Sequence, residues 1–174
     1  MRKVFKWAAI AVVAAGILGG IFYFIRRSQP QGQDLSQLIP VLDPLHVTRP
    51  TPVTDYNSNP PTSGKHWSDA KAPVARGIHE EEEPDEALIH NLEHGEVWIS
   101  YHQRIPEETK EGLREITKDF SKVVLTLRSK NDTDIALAAW GRLDKFNLDG
   151  GPLDKERVED FIKRYKNKGP ELVP

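Results

Sequence analysis

The segment HNLEHGEVWISYH, residues 90–102, contains three histidines and two glutamates, side chains that commonly bind metal ions or move protons. On a helix, His90 and His94 lie one turn apart, about 6 Å along the axis. Both imidazoles can then bind one divalent ion at roughly 2.1 Å, with Glu93 beside them. A strand would separate the two histidines by about 13 Å, too far for a shared ion. The spacing therefore predicts a metal site only if these residues are helical.

Residues 84–95 have the composition of a short helix, with proline first, two acids in the first turn and glycine behind. At about 100° per residue, the two leucines of this segment share one face of that helix. His90, Glu93 and His94 share the opposite face. We therefore expect the leucines to pack against a sheet, and the polar side chains to look into a cleft or into solvent.

Two other interpretations of this helix are open. The pattern His-x-x-Glu-His also occurs in the inverted zinc peptidases, where the histidines hold zinc and the glutamate, here Glu93, activates water. Those enzymes add a downstream acidic ligand, and no spacing singles one out in this chain. In the other interpretation no metal binds: His90 and Glu93 make surface hydrogen bonds, and His94 caps the helix, where a partly positive imidazole is favourable.

A second stretch, NPPTSGKHW at residues 59–67, supplies another imidazole. The stiff diproline and the Thr-Ser-Gly turn can present His66 in one direction, although a surface turn held by a buried Trp67 is equally compatible. His46, in DPLHVTRP, is a further candidate. The metal hypothesis thus has as ligands His66, His90 and His94, with Glu93 as fourth ligand or as partner of one, and His46 in reserve.

The composition narrows the choice of ion. Neutral imidazoles and a carboxylate suit zinc or copper in its divalent form. The chain has no cysteine and its only methionine is Met1, which argues against Cu⁺, because that ion prefers thiolate and thioether ligands. The lack of cysteine also excludes disulfides and cysteine nucleophiles.

The charge distribution is uneven along the chain. The formal net charge is −2, but residues 1–27 carry five basic residues and no acid. The remainder has 19 basic against 26 acidic residues, about −7, and lacks the basic surface expected of a protein that binds nucleic acid. We therefore expect no nucleic-acid partner.

The N-terminal segment predicts a membrane anchor. Nineteen residues without a charge run from Trp7 to Ile25, close to the roughly 20 that cross a bilayer as a helix. Tyr23 lies near one end of the run, and Arg26 and Arg27 stop it. We expect residues 1–27 to cross the cell membrane once, with the lipid bilayer as partner and the C-terminal domain outside the cytoplasm. A cleavable signal peptide is the alternative.

The rest of the chain divides by composition. A polar stretch with proline and glycine, residues 28–38, is typical of a flexible tether. Residues 39–83 form a proline-rich arm, predicted to pack on the domain, whose final EEEE at 80–83 indicates a solvated loop. Residues 84–170 form the predicted core.

Within that core, helical and alternating patterns predict the order α-β-α-β-β-α. The first strand is EVWISYH, and the next two, KVVLTLRS and DIALAAWG, are joined by the polar turn KNDT and predicted to form a hairpin. This order indicates one small α+β domain with a mainly antiparallel sheet and about three helices, besides the N-terminal one.

Three stretches together resemble a known family. PPTSGKHW and HNLEHGEVWISYH, followed by IALAAWGR, are similar to the bacterial domain-of-unknown-function family 3105, over about residues 36–170. The family pattern matches His66 and Trp67, residues 90–95, and a further histidine at His46. Members are typically anchored in the membrane or secreted, so the resemblance implies an envelope protein with a common site, without naming its chemistry.

Two functions of different classes follow. The first is a membrane-anchored, extracytoplasmic domain that binds one divalent metal ion through the histidine cluster, with metal-dependent hydrolysis, using Glu93 as base, as a minor branch. The second is a metal-free module that binds another envelope protein, with the polar cluster joining the proline-rich arm to the helix.

Overall fold

The computed structural model describes all residues except Met1, Leu172 and Pro174, and in the first helix it does not describe the side chains of residues 2–5, 8, 9 and 11. The chain forms two compact units, Met1–Gln31 and Gly32–Pro174.

The first unit is one helix, α1 (Arg2–Ser28), which ends with Arg26 and Arg27 in its last turn. In the part of the chain that the structure describes, no helix combines the length and the apolar character needed to cross a membrane. The predicted anchor at residues 1–27 includes positions outside the described side chains, among them three alanines of the uncharged run. Membrane attachment stays a prediction.

The second unit is an α+β domain with a mainly antiparallel six-stranded sheet, as predicted. Its helices are α2 (Asp85–Glu93), α3 (Glu107–Asp119) and α4 (Lys155–Tyr165). Its strands are β1 (Gln37–Leu38), β2 (His46–Val47), β3 (His66–Trp67), β4 (Gly77–Glu82), β5 (Val97–Tyr101), β6 (Val123–Leu127), β7 (Ile135–Ala139) and β8 (Arg142–Phe146).

The strand order of the main sheet is β1-β8-β7-β5-β6-β4. The first three pairings are antiparallel, whereas β6 runs parallel to both β5 and β4. The two remaining strands, β2 and β3, form a separate parallel pair.

The predicted hairpin between β6 and β7 is wrong. Strand β5 lies between them, parallel to β6 and antiparallel to β7. The hairpin partner of β7 is β8, reached through a two-residue turn in which Gly141 has a φ of +66°. Alternation of side chains identifies a strand but not its neighbours, and β5, buried along its whole length, takes a partner on each side.

The predicted loop at residues 80–83 is also wrong, because its first three glutamates lie in β4, which pairs with β6 at the edge of the sheet. Their side chains are exposed, and charge on an edge strand discourages pairing with other chains. Glu80 accepts hydrogen bonds from Arg114 of α3 at 3.1 Å. This ion pair joins the edge strand to the neighbouring helix.

Residues of the predicted tether are part of both units. The tether, residues 28–38, begins at the end of α1, but from Gly32 onward it belongs to the second unit. There β1 pairs with β8, and Asp34 accepts a hydrogen bond from the Tyr165 hydroxyl at 2.5 Å.

The central strands β5, β6 and β7 are buried on both faces of the sheet, and their alternate residues enter two different cores. One face packs on α3 and α4 and contains Val97, Ile99, Leu113, Ile116, Val123, Leu125, Val158, Phe161 and Ile162. The other face packs on α2 and on the proline-rich arm and contains Trp67, Val74, Leu88, Leu92, Trp98, Val124, Ala136 and Ala138. Helix α2 therefore has the sheet on one side and the arm on the other.

Candidate metal centre

Helix α2 holds two of the predicted site residues in fixed positions. Its Leu88 and Leu92 are completely buried against the sheet, as the helical spacing predicts. On the opposite face, His90 is 6% exposed and Glu93 is 4% exposed. The surface hydrogen bonds of the metal-free interpretation are therefore wrong for these two residues, since both lie in the interior beneath the arm.

The arm supplies the other two side chains. Strands β2 and β3 run parallel with His46 opposite His66, so both rings project on the same side, with centroids 4.8 Å apart. The next residue, Trp67, lies in the core and donates its indole N–H to the Thr51 carbonyl at 2.8 Å. The alternation of a strand thus separates the two side chains: Trp67 anchors the arm, and His66 faces α2.

Two backbone carbonyls orient the buried rings. The Nδ1 atom of His66 lies 2.8 Å from the Gly64 carbonyl, and the Nδ1 atom of His90 lies 2.8 Å from the Trp67 carbonyl. A carbonyl only accepts, so both Nδ1 atoms carry a hydrogen, and in the neutral form of each ring the free lone pair is on Nε2. Histidines that bind metal ions typically make this hydrogen bond through their other nitrogen.

The carboxylate of Glu93 completes the cluster. Its Oε2 atom lies 3.0 Å from Nε2 of His66 and 3.2 Å from Nε2 of His46. One nitrogen or oxygen from each of His46, His66, His90 and Glu93 lies within 4.8 Å of the others. Ligand atoms around a tetrahedral zinc ion are about 3.4 Å apart, so pairs separated by up to 4.8 Å would have to close by up to about 1.4 Å for all four to bind one ion.

The electrostatics of the cluster favour a cation. Burial lowers the pKa of His90, and the neighbouring His94 and His66 lower it further, so its ring is neutral near pH 7. A neutral His66 would also turn a lone pair toward the Glu93 carboxylate at 3.0 Å. Two acceptors at that distance repel each other unless a proton or a metal ion lies between them.

The fifth predicted residue, His94, lies beside the cluster and outside the four-residue group. It is the C-cap of α2, and its ring centroid is 4.6 Å from that of His90. Its Nε2 atom lies 3.3 Å from a carboxylate oxygen of Glu171 near the C-terminus. The helical spacing does bring His90 and His94 together, but the tertiary structure directs His94 toward a different partner.

The C-terminal segment, residues 166–171, holds the end of α2 in place. The Glu171 N–H donates to the Glu93 carbonyl at 3.0 Å, and the Asn167 N–H donates to the Gly95 carbonyl at 2.7 Å. Gly169 lies so close to the same backbone that a Cβ there would overlap with the carbonyls of residues 92 and 93. Sequence reasoning used this segment only as the end of the last helix and missed its contact with the site.

A second missed contact joins the arm to α2. The side chain of Asn91 accepts a hydrogen bond from the Val74 N–H at 2.9 Å and donates to the Val74 carbonyl at 2.8 Å. It also donates to Glu96 at 2.8 Å. Asn91 lies between the two site residues of α2 in the HNLEH motif, but only the folded arm shows what it binds.

The fold and the cluster define the class of this protein: an α+β domain with three histidines and one glutamate brought together between a helix and an overlying arm. The chain belongs to the family described as "Protein of unknown function (DUF3105)", which matches residues 46–173. This confirms the resemblance seen in the motifs, and the matched range includes all four residues of the cluster. No curated protein and no solved structure matches the chain.

Proposed function

We propose that this domain binds one divalent metal ion, zinc or copper, through His46, His66, His90 and Glu93. The observation that carries the proposal is the orientation of the buried rings. Backbone carbonyls hold Nδ1 of His66 and His90. Nε2 of His66 then lies 3.0 Å from the Glu93 carboxylate, and His90 belongs to the same group of possible ligands, within 4.8 Å. Such prior orientation reduces the reorganisation that metal binding requires.

A metal ion satisfies this cluster better than a proton does. One proton can bridge Glu93 and His66, and the resulting buried ion pair is the metal-free form of the site. A proton between His46 and Glu93 joins a second pair in the same way. Each proton joins only two of the four groups, whereas a divalent ion binds all four at once. A buried carboxylate is costly unless it is paired, and a dication provides the stronger pairing.

The donor set selects among the common ions. Calcium and magnesium prefer oxygen ligands throughout, whereas imidazole suits zinc and divalent copper. With three imidazoles and one carboxylate, the site resembles neither a thiolate centre nor an oxygen cage. We therefore propose zinc or copper as the bound ion.

Metal binding accounts for the geometry better than hydrolysis does. With Glu93 as fourth ligand, a tetrahedral zinc ion has no position left for a reactive water, and the same carboxylate is not free to act as base. Two of the downstream acids that could serve a peptidase as a further ligand have another partner, since Glu107 and Glu111 both accept hydrogen bonds from Arg114.

We further propose that α1 attaches the domain to the cell membrane, with the metal site outside the cytoplasm. The support is the uncharged run before Arg26 and Arg27, and the exposed apolar side chains along α1, which include Trp7, Phe22 and Phe24. If this is right, the full chain sediments with the membrane fraction and stays there after alkaline washing. Protease added outside intact spheroplasts should also cleave its C-terminal domain. Recovery of the full chain in the soluble fraction contradicts it.

Elemental analysis of the full chain, purified without a histidine tag, tests the metal proposal. We expect about one zinc or copper per chain after desalting, and none in His66→Ala or His90→Ala. His79→Ala is the matched control, because His79 lies outside the cluster and pairs with Glu83. A chain that holds no metal after incubation with both ions overturns the proposal and leaves the metal-free interaction module.

A further inference from the structure

The four residues of the cluster differ in their access to solvent. The side chain of His66 is completely buried and that of Glu93 is 5% exposed, but the side chain of His46 is 45% exposed. His90 is buried as well. One ligand position of the proposed metal site therefore opens to solvent, and it is the position that His46 occupies.

The imidazole of His46 is also less constrained than the other two. His66 and His90 are each fixed at Nδ1 by a backbone carbonyl. Among the residues that the structure describes, the ring of His46 has one hydrogen-bond partner, the Glu93 carboxylate. Rotation about the side-chain bonds of His46 would therefore remove its nitrogen from the ion without disturbing a buried hydrogen bond.

The backbone around His46 is lightly packed. Strand β2 has two residues and, in the described part of the chain, pairs with β3 alone. The preceding Leu45 is 54% exposed. Movement of the His46 side chain exposes little additional apolar surface to water, so the free-energy cost of that movement is small. Movement of the His90 side chain would instead break its hydrogen bond to the Trp67 carbonyl, and both His90 and Glu93 are buried beneath the arm.

We infer that His46 is the exchangeable ligand of this site, and that the domain passes its metal ion to or from an imidazole presented by another molecule. The inference rests on the proposed metal binding and deepens it: the site serves metal transfer. In the first step the bond between the ion and Nε2 of His46 breaks, and a bond to the incoming imidazole nitrogen forms. No electron is transferred, and the charge of the complex is unchanged.

An imidazole is the donor that best fits the vacated position. It replaces one neutral nitrogen ligand by another, so the three buried ligands keep the ion that they selected. The buried ligands His66, His90 and Glu93 retain the ion until the incoming molecule supplies further donors.

The test uses the full chain loaded with Co²⁺, a visible stand-in for zinc, and follows transfer of the ion to an excess of a chelator. For the unaltered chain we expect a transfer rate that rises with chelator concentration and rises again when free imidazole is added. For loaded His46→Ala, we expect free imidazole, and not acetate, to change the cobalt spectrum. Transfer of cobalt from His46→Ala to the chelator should be at least about tenfold faster than transfer from the unaltered chain.

Controls separate an exchangeable ligand from a damaged fold. His46→Asn provides a second substitution at the same exposed position, and circular dichroism confirms that both variants are folded. Lys65→Ala is the matched control, because it removes an exposed pair with Asp55 beside His66 and leaves the four ligands in place.

The outcomes distinguish this inference from the proposed function. A loaded chain whose transfer rate is independent of chelator and of imidazole, and equal in the His46 variants, overturns the inference but leaves metal binding intact. An unaltered chain that takes up none of cobalt, zinc and copper overturns both. A cobalt spectrum that responds to imidazole in the His46 variants, faster transfer from those variants, and an imidazole-dependent transfer rate for the unaltered chain together support the assignment.

Discussion

The cluster of three histidines and one glutamate joins two regions of different construction, and each region contributes two of the four side chains. Helix α2 is regular, and its Leu88 and Leu92 are fully buried against the sheet. The proline-rich arm has only short strands, and it crosses α2 on the opposite side, with His46 and His66 on β2 and β3.

The comparison shows two sources of rigidity in one site. The helix is rigid because its apolar face is part of the core, so His90 and Glu93 inherit their positions from hydrophobic packing. The arm depends on individual contacts: Trp67 in the core, the Asn91 hydrogen bonds and the carbonyl that orients His66. His46 has the fewest of these contacts, and its side chain is also the most exposed of the four.

The largest effect is expected where the two regions are joined. Arg128 is 5% exposed. It donates two hydrogen bonds, at 2.9 and 2.8 Å, to Asp85 at the start of α2. It donates a third, at 2.6 Å, to Asn59 of the arm. Arg128→Ala should lower the free energy of unfolding by about 3–5 kcal/mol, because it leaves Asp85 without its buried partner. Urea denaturation measures this loss.

Lys155→Ala is the control for that measurement. Lys155 pairs with Glu115, but both side chains are more than half exposed, so its loss should leave the unfolding midpoint unchanged. Equal effects of the two substitutions would mean that the buried pair does not hold the arm and helix together.

A direct comparison of the two regions comes from removing one ligand of each. We expect His90→Ala to weaken zinc binding by at least about 100-fold, because loss of a ligand should cost at least as much as loss of an outer hydrogen-bond partner. His46→Ala should have the smaller effect, and its loss of zinc affinity should be about one tenth of the loss caused by His90→Ala. Competition titration with a chromophoric chelator measures both, and a larger loss for His46→Ala would reverse the assignment of fixed and exchangeable ligands.

A substitution in the C-terminal segment, residues 166–171, tests whether α2 is stabilised by this segment as well as by its packing on the sheet. Gly169→Ala places a methyl group against the carbonyls of residues 92 and 93, where there is no room for it. We expect a loss of about 1–3 kcal/mol in the free energy of unfolding. Lys168→Ala, on an exposed neighbour, should have no such effect. A fully stable Gly169→Ala would show that the segment moves away from α2 without cost.

The smallest effect is expected at His94. Its pair with Glu171 is 3.3 Å long and its partner is half exposed, so the interaction contributes at most about 1 kcal/mol. His94→Ala should therefore change zinc affinity less than about fivefold. Complete loss of metal from this variant would instead make His94 a ligand, as the helical spacing suggests.

Patterns within a few residues of one another predicted much of the fold. Proline and glycine bounded α2, and its leucine and polar faces lie where the helical period puts them. The three strand segments also form strands, but their pairing was wrong, since β5 separates β6 from β7. The glutamates at 80–82 were wrongly predicted as loop because their composition hides an edge strand whose pairing depends on β6, more than 40 residues later.

The sequence by itself determined the α+β class, the helical placement of His90 and Glu93, and the candidate donors, because these depend on local periodicity and residue chemistry. Only the tertiary structure decided which donors meet. It brought His46 and His66 to α2 through a parallel strand pair, and it directed His94 to Glu171. Parallel pairing and chain docking depend on contacts between distant residues, for which no short segment carries a pattern.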